Sequence, residues 1–396
     1  MIEAFSLATL WLGLAVIAAL LARHLKMTIA LVEICVGVLA STLISYFFSP
    51  EAMGANQEWL KFLASSGSIL LTFLAGIELD PAVLKTKINE VMVVGILSFL
   101  APFVGCAIFA KYFLGWNRDA SLLAGIAMST TSMAGVYSVM LETGLNATEY
   151  GKGILGACFI TDLGTVIALG MIFAPFSFKT WSFILISLLV FFFLPKATEI
   201  LTRHFGNKTA AIRTKWILFI LFGLGSLAGW AESEAVLPAY IAGMVLAGTA
   251  GKDQFFIRRF RTLTVGFLTP FYFLRAGSFV SIKAILVAPS IFLVLFFGKI
   301  VSKIFVLYPT VGRFRSDKNE IWYYTLLMST GLTFGTISAL YGYSHKIITQ
   351  EQYSFLVTAV IASAVIPTMI ANYFFFPENL VPKKIGLEAE GFQNNL

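Results

Sequence analysis

Charged residues are scarce in this sequence: Asp, Glu, Lys and Arg make up 12% of its 396 residues, while hydrophobic residues make up 58%. Soluble domains carry about a quarter charged residues, so a water-soluble fold of this size is excluded because too few charges remain to cover its surface. The sequence contains no Gly-rich phosphate-binding loop and no polar stretch long enough for a separate soluble domain, which argues against an ATP-driven pump. The composition therefore predicts an all-α polytopic membrane protein.

Cysteine and histidine are rare as well, with three residues of each. The cysteines all fall in apolar segments, so no disulfide framework is predicted. The histidines lie at loops or segment ends without the spacing of metal ligands, and no Ser-His-Asp or Cys-His arrangement is readable. We therefore predict neither an enzyme nor a cofactor, and we attribute the net charge of +7 to membrane topology rather than to nucleic-acid binding.

Apolar segments are abundant, and thirteen of them reach the roughly 20 residues that a membrane-spanning helix needs. If the amino terminus lies outside, nineteen basic residues of the connections face inward and six face outward, and basic residues favour the cytoplasmic side. We therefore predict a multi-pass protein of the cell (inner) membrane with its amino terminus outside and its carboxyl terminus inside. The predicted spans are residues 5–22, 27–48, 59–79, 89–114, 120–143, 150–173, 180–201, 213–231, 235–250, 262–282, 284–308, 321–344 and 352–376.

An internal repeat is indicated by matches at a constant offset of 200 positions. The Met-Ser-Thr run at residues 128–130 recurs at residues 328–330, and Gly135 matches Gly335. The matches lie in spans 5 and 12, which are seven spans apart, so the two halves have opposite orientations in the membrane. Inverted repeats are typical of secondary transporters that work by alternating access. We therefore predict two inverted six-helix repeats, with chance similarity of two apolar stretches as the alternative.

Hydroxyl-bearing residues cluster with glycine in the middle of spans 5 and 12, which favours helices that unwind halfway and cross. Unwound backbone is tolerated in a membrane only where it is buried in protein or lines a watery cavity, and its carbonyl groups can then bind a cation. The alternative is ordinary hydrogen bonding of Ser and Thr to their own helix, or close packing of small residues. The predicted crossover residues are Ser129, Thr130, Thr131, Ser132, Ser329, Thr330, Gly331 and Thr333.

Asp162 stands near the middle of the sixth span, which places a carboxylate near the bilayer midplane. An unpaired anion at that depth costs about 2.5–3.5 kcal/mol even on permissive insertion scales, so such a residue is usually functional. One carboxylate can hold a proton or a metal cation, but hardly both. That competition is the basis of proton-coupled exchange, and a purely structural ion pair is the alternative.

Two lysines lie in the eleventh span. Lys299 is expected either to pair with Asp162 or to steady the crossed half-helices, whose carbonyl ends are electronegative; snorkelling toward the headgroups is its alternative. Lys303 is one turn nearer the interface and is expected to snorkel. Elsewhere, Glu33 is expected to form an inward-facing pair or to line an ion path, and Arg275 to support packing or a subunit contact.

Residues 71–80, LTFLAGIELD, resemble the LF-x-x-G-L-E-L/D signature of bacterial monovalent cation:proton antiporters of the second branch. That branch includes NapA-type sodium/proton exchangers and the transmembrane domains of Kef-type potassium efflux systems. The two crossover clusters, Asp162 and the Gly298-Lys299 pair follow one another in the order of the family. The resemblance extends over about residues 5–376. About twenty residues follow Phe376, so the regulatory nucleotide-binding domain of Kef-type systems is not expected here.

The resemblance implies a thirteen-span homodimer that works by an elevator motion of a core against a dimerisation scaffold. Its role would be cation and pH homeostasis, and its partners would be protons, monovalent cations and the lipid bilayer. Its domains would be scaffold helices in residues 1–88, core helices in 89–176, a linker helix in 177–208, scaffold helices in 209–283, core helices in 284–378 and a cytoplasmic tail in 379–396.

The resemblance also implies roles for site residues. The carboxylate matching Asp162 would bind Na⁺ or K⁺, helped by the hydroxyls matching Thr130 and Thr131, and the lysine matching Lys299 would be charge-compensating or take part in the proton cycle. The predicted ion- and proton-binding residues also include Thr161, which stands where many members carry a second carboxylate, Asn or Gln. With a single carboxylate, electroneutral exchange of one proton for one cation is the simplest stoichiometry, and the choice between Na⁺ and K⁺ stays open.

Two other functions compete with exchange. One is a sodium-coupled symporter of an organic anion on a related inverted-repeat fold, although such proteins usually have fewer spans and do not need a midplane Asp paired with a Lys. The other is a cation channel or sensor, which would favour a continuous pore and oligomeric symmetry; a single Asp in each chain does not indicate either.

Overall fold

The structure is a computed structural model that describes residues 2–25, 29–47, 52–77, 87–133, 136, 139–140, 143, 145, 148–173, 178–205, 211–231, 233 and 235–380. Helices and their connections account for this part of the chain, and it contains no strand. The α-helices are α1 Ile2–Leu25, α2 Ile29–Phe47, α3 Glu58–Ile77, α4 Ile88–Tyr112, α5 Arg118–Ser129, α6 Glu149–Phe173, α7 Phe178–Phe205, α8 Ile212–Trp230, α9 Val236–Ala247, α10 Gln254–Leu263, α11 Thr269–Ser278, α12 Ile282–Val287, α13 Pro289–Val311, α14 Lys318–Met328, α15 Thr333–Ser344 and α16 Gln350–Phe374.

Nine helices within the described ranges are long and apolar enough to cross a membrane, in agreement with a multi-pass membrane protein. The other predicted spans contain shorter helices. Helix α5 ends at Ser129, and residues 130–132 are not helical. Helices α14 and α15 are likewise separated by residues 329–332. The two interruptions fall within predicted spans 5 and 12.

The two interrupted segments begin alike because each helix has an N-cap side chain. The Asn117 side chain accepts a hydrogen bond of 2.8 Å from the backbone N–H of Ala120 at the start of α5. Asp317 accepts bonds of 2.8 and 3.1 Å from the N–H groups of Asn319 and Glu320 at the start of α14. Such caps satisfy backbone donors that a helix terminus leaves unpaired.

The chain divides into two compact units. Unit 1 comprises Met1–Pro81, Val166–Pro289 and Ile337–Val357, and unit 2 comprises Ala82–Thr165, Ser290–Thr336 and Thr358–Leu396.

In unit 1, buried Arg275 donates from Nε to the Ala55 carbonyl at 2.8 Å, and its guanidinium lies 4.8 Å from the Phe279 ring centre. Arg275 therefore supports packing. Glu33 faces the interior, but its Oε2 has no hydrogen-bond partner among the residues described, so the expected pair does not satisfy this oxygen.

Two close helix crossings in unit 1 depend on glycine. Gly37 of α2 faces the backbone of α11 and Gly277 of α11 faces the backbone of α2. Gly243 of α9 and Gly76 of α3 face each other's helices in the same way at the second crossing. An added Cβ at any of these positions would overlap a backbone carbonyl of the other helix. Because backbone cannot move aside as a flexible side chain can, only glycine allows these helices to approach so closely.

We expect Gly243→Ala to lower the melting temperature by several degrees, since overpacking costs about 1–3 kcal/mol. The matched control is Gly223→Ala on α8, where an added Cβ meets no atom within 4 Å and alanine favours the helix. Scanning fluorimetry in detergent measures both. Equal melting temperatures for the two variants would contradict the close crossing.

Unit 2 is built from α4, α5, α13 and α14 together with parts of α6, α15 and α16. Its buried apolar core includes Val94, Ile154, Leu307 and Leu327. An ion pair between Arg315 and Glu90, 2.7 Å long, joins the segment after α13 to the start of α4. All the candidate site residues belong to this unit. Gly135 of the predicted repeat and residues 78–80 of the signature segment lie outside the described residues.

Candidate ion-binding site at the helix interruptions

The two interruptions meet and hydrogen-bond to each other. The backbone N–H of Ser132 donates to the Thr330 carbonyl at 3.2 Å. The Thr131 hydroxyl donates to the carbonyl of Met328, the last residue of α14, at 2.9 Å. Unwound backbone of one segment therefore satisfies part of the other, as buried backbone requires. Predicted crossover residues Ser129, Thr130, Thr131, Ser132, Ser329, Thr330 and Gly331 lie here, and Thr333 begins α15.

Lys303 reaches this junction with its charged end. Its side chain is fully buried, and Nζ donates to the Met328 carbonyl, to the Thr131 hydroxyl at 2.8 Å and to the Thr130 carbonyl at 3.3 Å. Helices α5 and α14 end at this point, and helix carboxyl ends carry partial negative charge. The ammonium group therefore neutralises the ends of two half-helices.

This placement corrects one prediction from the sequence: Lys303 does not snorkel to the headgroups. Its side chain turns inward because two orphan carbonyls and a hydroxyl offer acceptors that the hydrocarbon does not. The spacing of four residues between Lys299 and Lys303 puts both on one face of α13, and this was the available signal that they would share an environment.

Lys299 is also fully buried, so it does not snorkel either. Its Nζ donates to the hydroxyl of Ser363 on α16 at 3.0 Å, and a Cβ added to Gly331 would overlap this ammonium group. The Ser363 hydroxyl donates in turn to the Val360 carbonyl at 2.8 Å. Sequence reasoning missed Ser363, because a single serine inside an apolar span carries no distinguishing pattern.

Asp162 lies on the face of α6 that is directed at the interruptions. Cys158, one turn before Asp162, donates to the Met328 sulfur at 3.6 Å. Thr165, three residues after Asp162, has its hydroxyl 3.4 Å from the hydroxyl of Ser129 on α5. Residues spaced by three and four share a helix face, so Asp162 lies between these two contacts. Its side chain is 1% exposed, and its Oδ1 has no hydrogen-bond partner within the described part of the chain.

The hydroxyls around the site are mostly committed to helix carbonyls. Thr161 donates to Ala157 at 2.9 Å and to Gly95 at 3.3 Å, so it faces α4 rather than the interruption. The Thr130 hydroxyl donates to the Ala127 carbonyl at 3.4 Å. Ser129, Ser329 and Thr330 donate to carbonyls three or four residues earlier in their own half-helices. Own-helix bonding and unwinding, stated as alternatives from the sequence, therefore occur together.

This arrangement of side chains supports few kinds of chemistry. One buried carboxylate and two buried lysine side chains, those of Lys299 and Lys303, belong to the same compact unit. Within the described ranges, no group of three or more His, Cys, Asp and Glu side chains is placed to hold a metal ion. A single carboxylate oxygen without a partner can accept a proton or contact a weakly held monovalent cation.

Comparison with known proteins places this chain in a family. The family model described as sodium/hydrogen exchanger, transmembrane, matches residues 12–376. The chain is 29% identical over 241 residues to the probable Na⁺/H⁺ antiporter 3 of Methanocaldococcus jannaschii. The match covers 58% of this chain and 61% of that protein. It is 26% identical over 327 residues to the Na⁺/H⁺ antiporter of Enterococcus hirae, covering 78% of this chain and 83% of that protein.

A solved structure has the same fold. The sodium proton antiporter MjNhaP1 of Methanocaldococcus jannaschii superposes with a TM-score of 0.70 at 15% identity, and the match covers 95% of this chain and 99% of that one. The family model and the two relatives confirm the resemblance to cation:proton antiporters read from the sequence. Because the family model spans most of the sequence, the chain belongs to the sodium/hydrogen exchanger family of transmembrane proteins.

Proposed function

We propose that the chain exchanges a monovalent cation, Na⁺ or K⁺, for H⁺ at Asp162. The observation that carries the proposal is the buried Asp162 Oδ1, which has no hydrogen-bond partner among the described residues and belongs to the helix face on which Cys158 contacts Met328 and Thr165 contacts Ser129. A buried carboxylate must be neutralised by a proton or by a cation. Binding one ligand expels the other, and this competition couples their movements. Because the relatives are transporters, no enzymatic step and no resident cofactor enters this cycle.

The proposed stoichiometry is one proton for one cation. Asp162 is the acidic side chain at the interruptions, and the preceding position is Thr161, whose hydroxyl is committed to α4. The Thr131 hydroxyl is shared by Lys303 and the Met328 carbonyl, so it helps the ion less directly than the resemblance implied. Exchange of equal charges does not move net charge across the membrane, and we propose an electroneutral exchanger.

We also propose the thirteen-span topology with an outside amino terminus and two inverted repeats. Several pairs of features support the repeat. The N-caps Asn117 and Asp317 are 200 positions apart. In unit 1, the pairs Gly37/Gly277 and Gly243/Gly76 make equivalent close crossings. If α2 corresponds to α9 and α3 corresponds to α11, the crossing of α2 with α11 is equivalent to the crossing of α9 with α3.

The mechanism proposed for this chain is an elevator motion, in a homodimer in the inner membrane that serves cation and pH homeostasis. The core would comprise residues 89–176 and 284–378, and the scaffold residues 1–88 and 209–283, with the linker helix in 177–208. The candidate site residues all belong to one compact unit. They can therefore move together without changing their contacts with one another, and this supports a moving core.

Proteoliposomes loaded with acid and a pH-sensitive dye test this function. We expect external Na⁺ or K⁺, but not choline, to release the trapped protons. For Na⁺, an imposed membrane potential should leave the rate unchanged, because one positive charge enters for each that leaves. Proton movement driven by voltage alone would contradict the 1:1 stoichiometry, and a response to choline would contradict exchange.

A further inference from the structure

Under the proposed repeat, helix α6 corresponds to helix α16. Glu149–Phe173 and Gln350–Phe374 are both 25 residues long. Counted from their first residues, Asp162 and Ser363 hold the same position in the two helices. Under the proposed repeat, Ser363 is therefore the counterpart of the carboxylate that binds the transported ion.

The helices that pack beside them correspond as well. At the 200-residue offset of the N-caps, one less than the offset between α6 and α16, Phe99 of α4 corresponds to Lys299 of α13. The Phe99 ring lies against α6 at Gly164, where an added Cβ would be 3.0 Å from the ring Cγ. The Lys299 ammonium lies against α16 at Ser363, at 3.0 Å. A lysine in the second repeat therefore stands where the first repeat has a phenylalanine beside the ion site.

We infer that Lys299 and Ser363 form the second-repeat counterpart of the Asp162 site, in which the lysine ammonium is a tethered cation that takes the place of a second transported ion. The inference rests on the proposed exchange function and extends it. A fixed ammonium group needs a neutral acceptor rather than a carboxylate that must also bind protons, and serine supplies one. Because the Lys299 ammonium group occupies this second place, the transporter moves one free cation in each cycle.

The two buried lysines differ in what they contact, which separates their roles. Lys303 donates to two backbone carbonyls and a hydroxyl at the ends of α5 and α14. Those half-helix ends therefore already have a counter-charge without Lys299. Lys299 instead faces Ser363 and Gly331, and only a residue without a Cβ leaves room for its ammonium group.

Melting experiments in detergent test the tethered cation without depending on transport. We expect Lys299→Ala to lower the melting temperature in choline chloride by about 5–10 °C, because the shortened side chain leaves a cavity and the Ser363 hydroxyl loses its donor. Ammonium or methylammonium chloride at equal ionic strength should restore at least half of that loss, because a small cation can enter the vacated place. Phe99→Ala is the matched control for lost packing at the equivalent position, and ammonium should not restore it.

Equal recovery of the two variants in ammonium, or no recovery of Lys299→Ala, overturns the inference, as does an unchanged melting temperature. A second pair of variants keeps Lys299 and changes its acceptor. Ser363→Asp should melt higher than the isosteric Ser363→Asn, because a tethered ammonium stabilises a buried carboxylate. A lower melting temperature for Ser363→Asp overturns the inference even if Lys299→Ala does not fold. Neither result bears on whether the protein exchanges cations for protons, which the vesicle assay decides separately.

Discussion

Replacing Asp162 by asparagine should reduce cation-driven proton release by about 100-fold or more, the scale on which loss of one proton-transferring group changes a rate. Asparagine preserves the size of the side chain but can neither take up a proton nor neutralise a cation. Asp162 is 1% exposed and its Oδ1 is without a partner among the described residues. The described residues of the two interruptions include no second carboxylate that could substitute for it. The measurement is the dye assay in proteoliposomes with equal amounts of folded protein.

Glu33→Gln is the matched control for this variant. Glu33 is also a buried carboxylate with an unpartnered oxygen in the described structure, but it lies on α2 in unit 1 rather than at the interruptions. We expect Glu33→Gln to retain most of the exchange rate. If Glu33→Gln abolished exchange while Asp162→Asn preserved it, the assigned site would be wrong.

Lys303→Met should have the second large effect, because it removes the counter-charge of two half-helices. The methionine chain fills similar space but leaves the Met328 and Thr130 carbonyls and the Thr131 hydroxyl without their shared donor. Each buried polar group that loses its hydrogen bond costs about 1–3 kcal/mol, so we expect the melting temperature to fall by about 5–10 °C. Exchange should fall with it, since the interruptions that face Asp162 lose their geometry.

Lys215→Met provides the control for loss of a lysine charge, because Lys215 is exposed on α8. Exposed charges contribute little to stability, so its melting temperature should stay close to that of the unaltered protein. Scanning fluorimetry in detergent compares the two variants. Equal stability of Lys303→Met and Lys215→Met would contradict the role assigned to Lys303.

The features of the site that were predictable from sequence are those that composition and spacing determine. Asp162 was recognisable because a carboxylate inside an apolar span is costly and rare. The interruptions after Ser129 and Met328 were recognisable because hydroxyls and glycine weaken a helix at matching places in both halves. The helical membrane fold follows from the length and apolar character of the segments.

What could not be predicted depends on packing between distant segments. Lys299 and Lys303 share a face of α13, and only the position of the two interruptions decides which ammonium group reaches the orphan carbonyls. Thr161 is adjacent to Asp162 in sequence, but successive helix residues point in different directions, and its hydroxyl is bound to the Gly95 and Ala157 carbonyls. Ser363 acquires significance only through its contact with Lys299.

The most direct test of the account is to count the protons released when a cation binds to the purified protein. Calorimetric titration with NaCl or KCl, in two buffers that differ in protonation enthalpy, gives this number. At a pH where Asp162 is protonated, we predict about one proton released for each cation bound, and no coupled release from Asp162→Asn. Cation binding without proton release at that pH would show that both ligands occupy the protein together, and would contradict exchange by competition at one carboxylate.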